Sequence, residues 1–301
     1  MKLLFTKMHG AGNDFVIIDQ IIQDIIFKPE WVQLISSRSY GVGCDQLLLL
    51  EPPKSPNADF FYRIFNADGT EVEQCGNGAR CIGQFIIYKH LSPKASWEIE
   101  TINSKMTVAL APNNMGIRAN LGLPNFEAKS LPFNFTEHNI VSNNLFKLQL
   151  PELEELIYLK DKTLQFSIVS VGNPHIVINM DTIDIDISNK NLITNYINKI
   201  GQVLNTHPQF PKGINVNFMR VVDHHTIQLT TYERGVGITA ACGTGACATA
   251  VCARLQNLVT ENFINIENSG GTLGVSWGNT NDSPMWLTGS ASIVYEGYIE
   301  L

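Results

Sequence analysis

The sequence lacks several features that would place it in common protein classes. Charged residues make up only 16% of the 301 residues, and the 21 Lys and Arg form no basic run. Nucleic acids and membrane surfaces attract proteins through such runs, so we expect neither as a partner. No apolar stretch approaches the length of a membrane span. The first residues contain too few apolar side chains for a secretory signal, which predicts a cytoplasmic protein.

Cysteine is present, but not with the spacing typical of zinc sites or thiol-redox motifs. No two cysteines form a C-x-x-C pair, which those sites commonly use. We therefore expect neither a metal nor structural disulfides. The apolar content of 44% is enough for a large core, the formal charge is −7, and the length suits two lobes. The six cysteines are Cys44, Cys75, Cys81, Cys242, Cys247 and Cys252.

One motif occurs twice in the chain. The sequence reads Cys-Gly-Asn-Gly-Ala from Cys75 and Cys-Gly-Thr-Gly-Ala from Cys242. A glutamate lies 25 positions after each cysteine, at Glu100 and Glu267. A Gly-Asn pair precedes each cysteine. A short motif can recur by chance in a chain with 23 Gly. The identical spacing to the glutamate and the same order of all the landmarks instead favour an internal duplication.

Apolar patterns of period two dominate the sequence and predict many strands. Helical patterns are fewer, at residues 29–39, at residues 193–204 and after each repeated cysteine. The predicted fold class is α+β, with two pseudo-symmetric lobes that are each a mostly antiparallel sheet wrapped around a central helix. We place the N-terminal lobe at residues 1–119, with a return of about 288–301, and the C-terminal lobe at residues 120–287.

Each repeated cysteine stands just before a predicted helix. The glycines after it allow a tight turn with backbone N–H groups pointing outward. These groups and the helix dipole attract a carboxylate and lower the pKa of a neighbouring thiol. Two thiols on opposite sides of an α-carbon can invert it, one removing a proton and the other returning one. We therefore expect acid–base roles for Cys75 and Cys242, and expect the other four cysteines to be mainly buried apolar side chains.

Seven motifs, in order along the chain, resemble the diaminopimelate epimerase family. They lie at residues 8–15, 41–46, 65–69, 73–80, 172–175, 232–235 and 241–246. The resemblance implies an isomerase that interconverts LL- and meso-diaminopimelate without PLP, another cofactor or a metal, on the path to lysine and peptidoglycan. It also implies a cytoplasmic homodimer whose ligand is a small-molecule amino-acid substrate.

The same resemblance implies roles for individual residues. Cys75 and Cys242 are the acid–base pair, and the turns that bind the α-carboxylate contain Gly76, Asn77, Gly243 and Thr244. The remaining substrate-binding residues are Asn13, Gln46, Asn66, Asn173, Asn215, Glu233 and Arg234. An Arg fork, neutral amides and one acidic acceptor suit the second carboxylate and ammonium of diaminopimelate. His175 either orients a thiol or is a structural imidazole.

One position departs from the family pattern, because the family commonly has Glu where Ile238 stands.

Other functions compete with that of a diaminopimelate epimerase. The nearest competing function is that of a related racemase acting on another amino acid, although proline racemase-like chains typically carry His in place of Asn77. Two further functions stay open. A thiol-redox protein would use C-x-x-C, and a non-catalytic amino-acid-binding module would not need two thiols.

Overall fold

The computed structural model describes residues 1–23, 25–72, 75–127, 131–136, 139–142, 144–150, 163–183, 185–186, 188–278, 280 and 282–301. Two motif positions, Glu73 and Gln74, lie outside these residues. The chain separates into two compact units. Unit 1 comprises Met1–Asn120 and Trp286–Leu301, and unit 2 comprises Leu121–Met285. Strands predominate in both units, so the fold class is α+β.

Within the described ranges, the first eight strands and the last two belong to unit 1, and the nine between them belong to unit 2. The strands are β1 (Lys2–Gly10), β2 (Asn13–Asp19), β3 (Gln46–Glu51), β4 (Phe60–Asn66), β5 (Glu71–Val72), β6 (Ser96–Glu100), β7 (Lys105–Leu110), β8 (Ile117–Asn120), β9 (Ile140–Ser142), β10 (Leu145–Gln149), β11 (Thr163–Ser170), β12 (Pro174–Asn179), β13 (Asn215–Asp223), β14 (Thr226–Glu233), β15 (Gly237–Thr239), β16 (Phe263–Asn268), β17 (Gly271–Ser276), β18 (Trp286–Gly289) and β19 (Ser292–Glu300).

The described residues contain four α-helices, each of which overlaps a predicted one. They are α1 (Glu30–Ser36) and α2 (Gly76–Tyr88) in unit 1, and α3 (Lys190–Thr206) and α4 (Gly243–Leu255) in unit 2. None of these four combines the length and apolar character needed to cross a lipid bilayer. Short 3₁₀ turns occupy Pro112–Asn114 and Met180–Thr182.

In unit 1 antiparallel and parallel strand pairs alternate, and a helix lies in the connection of each parallel pair. Strand β1 is antiparallel to β2, and β2 is parallel to β3, with α1 in the connection. Strand β3 is antiparallel to β4, and β4 is parallel to β6, with α2 in the connection. The short strand β5 pairs with β4, and β6 turns back antiparallel to β7. Strand β19 pairs antiparallel with β1 and β18 with β8, which ties the chain end into this unit.

Unit 2 repeats this order of pairings. Strand β11 is antiparallel to β12, β12 is parallel to β13 across α3, and β13 is antiparallel to β14. Strand β14 is parallel to β16 across α4, β15 pairs with β14, and β16 is antiparallel to β17. Parallel neighbours require a crossover, which is why a helix stands at each of these connections. The helix that follows each repeated cysteine therefore occupies the same place in the pairing order.

The two helices that follow the cysteines are buried along most of their length. In α2 every residue from Asn77 to Gly83 is buried, and in α4 every residue from Gly245 to Ala253 is buried. Helix α3 is instead amphipathic and buries one face through Tyr196, Ile200 and Leu204. A helix enclosed in protein keeps its first N–H groups away from bulk water, which strengthens their hold on an anion.

Candidate active site

In unit 1, Cys75 is the residue that begins helix α2. It has an extended backbone, and its Sγ accepts a hydrogen bond from the backbone N–H of Gly78 at 3.3 Å. A side chain at position 78 would overlap the hydroxyl of Tyr62, so any residue larger than glycine there would force its neighbours to move. The Cys75 side chain is half-buried. The sulfur thus lies at the positive end of a helix dipole, where negative charge is stabilised.

Two predicted substrate ligands, Asn13 and Asn77, are joined beside this helix start. The Asn77 Nδ2 donates to the Asn13 Oδ1 at 2.6 Å, and the Asn13 Nδ2 donates to Asp45 at 3.3 Å. The Nη2 of buried Arg80 donates to the Asn77 Oδ1 at 2.8 Å. An amide can form four hydrogen bonds, so these contacts fix the orientation of both groups and still leave each the capacity to bind a ligand.

An ion-pair group holds the Asn13 region in place. Arg38 donates to both oxygens of Asp14, at 2.9 and 2.8 Å, and to Asp45 at 2.8 Å. Lys7 donates to Asp14 at 2.6 Å. Burial alone would raise the pKa of Asp14, but the hydrogen bonds from Arg38 and Lys7 outweigh burial and lower it. Asp14 is therefore a fixed anion, and Asp45, which shares Arg38 with it, accepts the hydrogen bond from Asn13.

The other two predicted ligands of unit 1, Gln46 and Asn66, face each other across β3 and β4. They are register partners, and the Gln46 Nε2 donates to the Asn66 Oδ1 at 3.0 Å. The Asn66 Nδ2 donates to Thr70 at 3.1 Å. Cross-strand pairing thus brings together two amides that lie 20 residues apart in sequence.

In unit 2, Cys242 begins helix α4 in the same manner. Its Sγ accepts a hydrogen bond from the Gly245 N–H at 3.3 Å and lies 3.4 Å from the Thr244 hydroxyl oxygen. Burial and the neighbouring Glu233 carboxylate raise the pKa of this thiol to about 12. The prediction of a lowered pKa is therefore wrong for Cys242. The bonds from Thr244 and Gly245 favour the thiolate, but burial outweighs them.

The predicted ligands Asn215 and Arg234 contact each other through the backbone. The Asn215 Oδ1 accepts the Arg234 backbone N–H at 3.0 Å, and the Asn215 Nδ2 donates to the Pro174 carbonyl at 3.1 Å. The guanidinium of exposed Arg234 donates to the Lys212 carbonyl at 3.0 Å. Buried Asn215 therefore joins the start of β12 to the end of β14. Glu233, which precedes Arg234, accepts a hydrogen bond from Thr239 at 2.6 Å.

Asn173 and His175 belong to a chain of polar side chains in unit 2. The His175 Nε2 lies 2.9 Å from the Asn173 Oδ1, and its Nδ1 lies 3.0 Å from the Asn217 Nδ2. Thr231 donates to the Asn217 Oδ1 at 3.1 Å. Burial, with a smaller effect of Arg234, lowers the pKa of His175 to about 3, so the ring is neutral. Both ring nitrogens are bonded to amides, so His175 orients side chains rather than a thiol.

The remaining four cysteines are buried, as the sequence predicts. Burial raises the pKa of Cys44, whose Sγ lies 3.4 Å from the Ser36 hydroxyl, and raises the pKa of Cys81 to about 12. Burial also raises the pKa of Cys252. These three thiols are poor nucleophiles at neutral pH because little thiolate forms.

A further group of metal-ligating type lies at the turn between β13 and β14. The ligand atoms of Asp223, His224 and His225 all lie within 4.8 Å of one another. Asp223 also accepts the His225 backbone N–H at 2.9 Å, so part of its acceptor capacity serves the turn. The three are consecutive residues of a hairpin turn, and such a turn brings neighbouring side chains together whether or not an ion binds.

The predicted site residues therefore form two groups, one in each unit. Sequence reasoning missed the residues that orient them, namely Arg38, Asp45, Asn217 and Thr231. A signal was available for Asn217, because it lies two residues after Asn215 on β13 and so shares its face. Ile238 lies on β15 opposite Tyr232, with 39% of its surface exposed. Each group offers N–H donors, amides and a sulfur that can carry a proton, which suits acid–base chemistry beside a carboxylate.

Solved structures with this fold include amino-acid racemases and epimerases. A phenazine biosynthesis protein of the PhzF family from Bacillus anthracis matches with a TM-score of 0.68 and 16% identity, over 100% of both chains. A probable proline racemase from Agrobacterium radiobacter with bound carbonate matches with a TM-score of 0.67 and 13% identity, over 99% of this chain and 93% of that one. A hydroxyproline epimerase from Agrobacterium vitis with bound trans-4-hydroxy-L-proline matches with a TM-score of 0.66 and 12% identity, over 99% and 92%.

The sequence itself matches a family profile more specifically than these structures do. The profile described as diaminopimelate epimerase matches residues 5–127 and 167–294, which include both cysteine turns and every predicted ligand. The structural likenesses are below 25% identity and show the fold alone, whereas the profile match covers most of the chain. The chain therefore belongs to the diaminopimelate epimerase family, a family of isomerases.

Proposed function

We propose that this protein is a diaminopimelate epimerase that interconverts LL- and meso-diaminopimelate with Cys75 and Cys242. The observation that carries the proposal is that a cysteine sulfur is hydrogen-bonded at the start of a helix in each of the two units. Each sulfur accepts the backbone N–H three residues into its helix, at 3.3 Å in both cases. Family membership and the amide, Glu and Arg side chains beside the two helix starts support it.

In the proposed reaction the α-proton of the substrate moves to one sulfur while the other sulfur supplies a new proton. The Cys75 thiolate removes the α-proton, so the C–H bond breaks and an S–H bond forms. The electron pair spreads onto the α-carboxylate until the Cys242 thiol gives its proton to the opposite face of the carbon. The two sulfurs exchange roles in the reverse direction. No net proton or electron is gained or lost.

The burial of Cys242 supports the assignment of its starting state. A pKa raised to about 12 by burial and by Glu233 makes Cys242 a thiol at neutral pH, which suits the proton donor. The developing charge on the carboxylate would be stabilised by the helix N–H groups of Gly76, Asn77, Gly243 and Thr244. By analogy with oxyanion holes, each donor is worth about 3 kcal/mol.

The remaining proposed ligands fit the second amino-acid group of diaminopimelate. Arg234 supplies a fork for a carboxylate, Glu233 an acceptor for an ammonium, and the amides of Asn13, Asn66 and Asn173 neutral contacts. We propose that Gln46 and Asn215 complete this set. A substrate without a charged distal group would leave Glu233 and Arg234 without a ligand.

The second candidate is a related cofactor-independent racemase that acts on another amino acid. The observation in its favour is that the probable proline racemase and the hydroxyproline epimerase share this fold over nearly their whole length. Both candidates use the same two-thiol chemistry and differ only in the substrate. The discrimination therefore depends on the distal ligands rather than on the cysteines.

Hydrogen exchange in heavy water tests the proposed reaction. LL-diaminopimelate, proline, hydroxyproline and histidine are incubated separately with enzyme and reductant, and deuterium at the α-carbon and stereochemical inversion are followed. We expect both only with diaminopimelate, and neither in the Cys75→Ala, Cys242→Ala double variant. Cys44→Ala is the matched control and should retain activity. Turnover of another amino acid in place of diaminopimelate would establish the second candidate.

We also propose the cellular setting that the family implies. The enzyme would act as a cytoplasmic homodimer in lysine and peptidoglycan precursor biosynthesis, with an N-terminal domain at residues 1–119 plus about 288–301 and a C-terminal domain at residues 120–287. Sedimentation equilibrium tests the dimer, because the chain mass is 33.4 kDa and a dimer has twice that mass. A single species of the chain mass would contradict this proposal.

A further inference from the structure

The polar chain in unit 2 has a fixed direction. The Asn217 Nδ2 donates to the backbone carbonyl of Ile176 at 2.9 Å, and a carbonyl can only accept. This contact identifies the amide nitrogen and leaves the Asn217 Oδ1 as acceptor for the Thr231 hydroxyl. The second N–H of Asn217 then points to the His175 Nδ1, which must accept it.

The direction continues through the imidazole to Asn173. A neutral imidazole that accepts at Nδ1 carries its proton on Nε2. The His175 Nε2 therefore donates to the Asn173 Oδ1 at 2.9 Å. Because the oxygen of Asn173 is bound in this way, its Nδ2 group points elsewhere and is the part of the amide offered to a ligand.

The fold does not require polar side chains at these positions, because unit 1 forms the same framework with apolar ones. Asn217 and Thr231 are register partners on β13 and β14, and Leu48 and Ile64 are register partners on β3 and β4. A side chain at Gly245 would come within 2.5 Å of the Asn217 Oδ1, and one at Gly78 would come within 3.4 Å of Leu48. The two pairs therefore lie beneath equivalent helix starts.

The same comparison between the two units applies to His175, the third of these polar side chains. Strand β12 pairs His175 with Asn215, and strand β2 pairs Phe15 with Gln46. His175 thus occupies in unit 2 the place that Phe15 occupies in unit 1. Burying polar groups is costly unless each is hydrogen-bonded. Three such groups at positions where unit 1 uses apolar ones indicate a role beyond packing.

We infer that Thr231, Asn217 and His175 are positioning residues that hold Asn173 with its N–H groups toward the ligand. The Asn173 N–H groups can then donate to a hydrogen-bond acceptor, such as a substrate carboxylate. They disfavour a donor, such as an ammonium, at the same place. The inference rests on the proposed function only in taking the acceptor to be a carboxylate of the substrate. The donor-to-acceptor direction of the hydrogen bonds from Thr231 to Asn173 is independent of the substrate.

The direction is tested by nitrogen NMR of ¹⁵N-histidine-labelled protein, with His175→Phe used to assign the signal. We expect a proton on Nε2, none on Nδ1, and no titration from about pH 5 to about pH 8. Asn217→Asp replaces the donor with an acceptor, so the proton should appear on Nδ1. Asn195→Asp, on the exposed face of α3, is the matched control and should leave the signal unchanged. A wild-type ring protonated on Nδ1 would overturn the inference.

The effect on Asn173 is tested by steady-state kinetics. Thr231→Val removes the first donor at nearly constant volume, and Asn217→Asp reverses the chain. In each we expect KM for diaminopimelate to rise about tenfold, the effect of losing a hydrogen bond to a charged group, while kcat changes less. Wild-type KM in both variants would contradict the positioning role even with the expected NMR result.

Failure of the proposed function and failure of the positioning role give different results. If diaminopimelate is not turned over, the proposed function fails, and the same KM comparison is made with the amino acid that is turned over. The NMR result stands in either case. Should Asn217→Asp not fold, Thr231→Val and the wild-type spectrum still decide the direction of the chain and its effect on binding.

Discussion

The hydroxyl of Tyr62 packs directly against the backbone of Gly78, so closely that a Cβ at position 78 would overlap it. Tyr62 is fully buried, and its hydroxyl has no hydrogen-bond partner in the part of the chain that the structure describes. Gly78 is the residue whose N–H holds the sulfur of Cys75. The position of the proposed base in unit 1 therefore depends on the contact between a tyrosine and a glycine.

A double-mutant cycle on this pair tests the contact. Gly78→Ala should lower the free energy of unfolding by about 1–3 kcal/mol, because an added methyl group in a filled space forces its neighbours apart. Tyr62→Phe should cost little, since it removes an unbonded oxygen. In the double variant part of the stability should return, as measured by urea unfolding. Purely additive losses would show that the overlap is relieved in some other way.

The elements and the location of both cysteines could be predicted from the sequence because they depend on local signals. Period-two patterns marked the strands, and a glycine after each cysteine marked a helix start. Both helices begin directly after the cysteine, at Gly76 and Gly243, whereas the helical patterns begin about one and a half turns later, at Ile82 and Ala248. Glycine weakens a pattern without preventing a first helical turn, whose N–H groups have other partners.

The polar chain behind Asn173 could not be predicted, because strand register assembles it. Asn217 is 42 residues from His175 and 14 from Thr231, and no local pattern marks such contacts. The pKa of Cys242 was mispredicted for a similar reason. A helix start is a local feature that favours thiolate, whereas burial depends on every element packed around α4.

The acidity of Cys242 should respond to Glu233. Burial and the Glu233 charge both disfavour the thiolate, so Glu233→Gln removes one of the two causes and should lower the pKa of Cys242. Alkylation of Cys242 by iodoacetamide, followed by mass spectrometry, should therefore begin at lower pH in the variant. Cys81 is an internal control, because its pKa is raised by burial and by Cys75 rather than by Glu233. An unchanged profile at Cys242 would refute this role of Glu233.

Alkaline pH should destabilise the protein through its buried thiols. The folded-state pKa of Cys81, raised by burial to about 12, lies above the ordinary thiol value of 9.0, so the unfolded chain ionises first. The stability from this thiol is complete below pH 9.0 and is lost as pH rises from there toward 12, by about 1.4 kcal/mol per pH unit.

Urea unfolding of wild type and Cys81→Ala at several pH values measures this loss. At pH 7 the variant should be less stable than wild type because of the small cavity. Above about pH 9 the free energy of unfolding of the variant should fall less steeply with pH than that of wild type. The difference in slope should correspond to one fewer proton released on unfolding. Parallel pH dependences would mean that Cys81 ionises equally in both states.

The proposed chemistry depends on sulfur oxidation state and needs no metal. Because the thiolate is the base and the thiol the acid, oxidation of either sulfur removes an acid–base group. We expect activity to fall under peroxide, to return with dithiothreitol when oxidation has stopped at a disulfide or sulfenic acid, and to persist after exhaustive dialysis against EDTA. The turn at Asp223, His224 and His225 is the group of metal-ligating side chains that the described residues bring together. A His224→Ala, His225→Ala variant therefore serves as the control, and it should match wild type before and after EDTA. Activity that vanished with EDTA and returned with zinc would replace the two-thiol mechanism with a metal-dependent one.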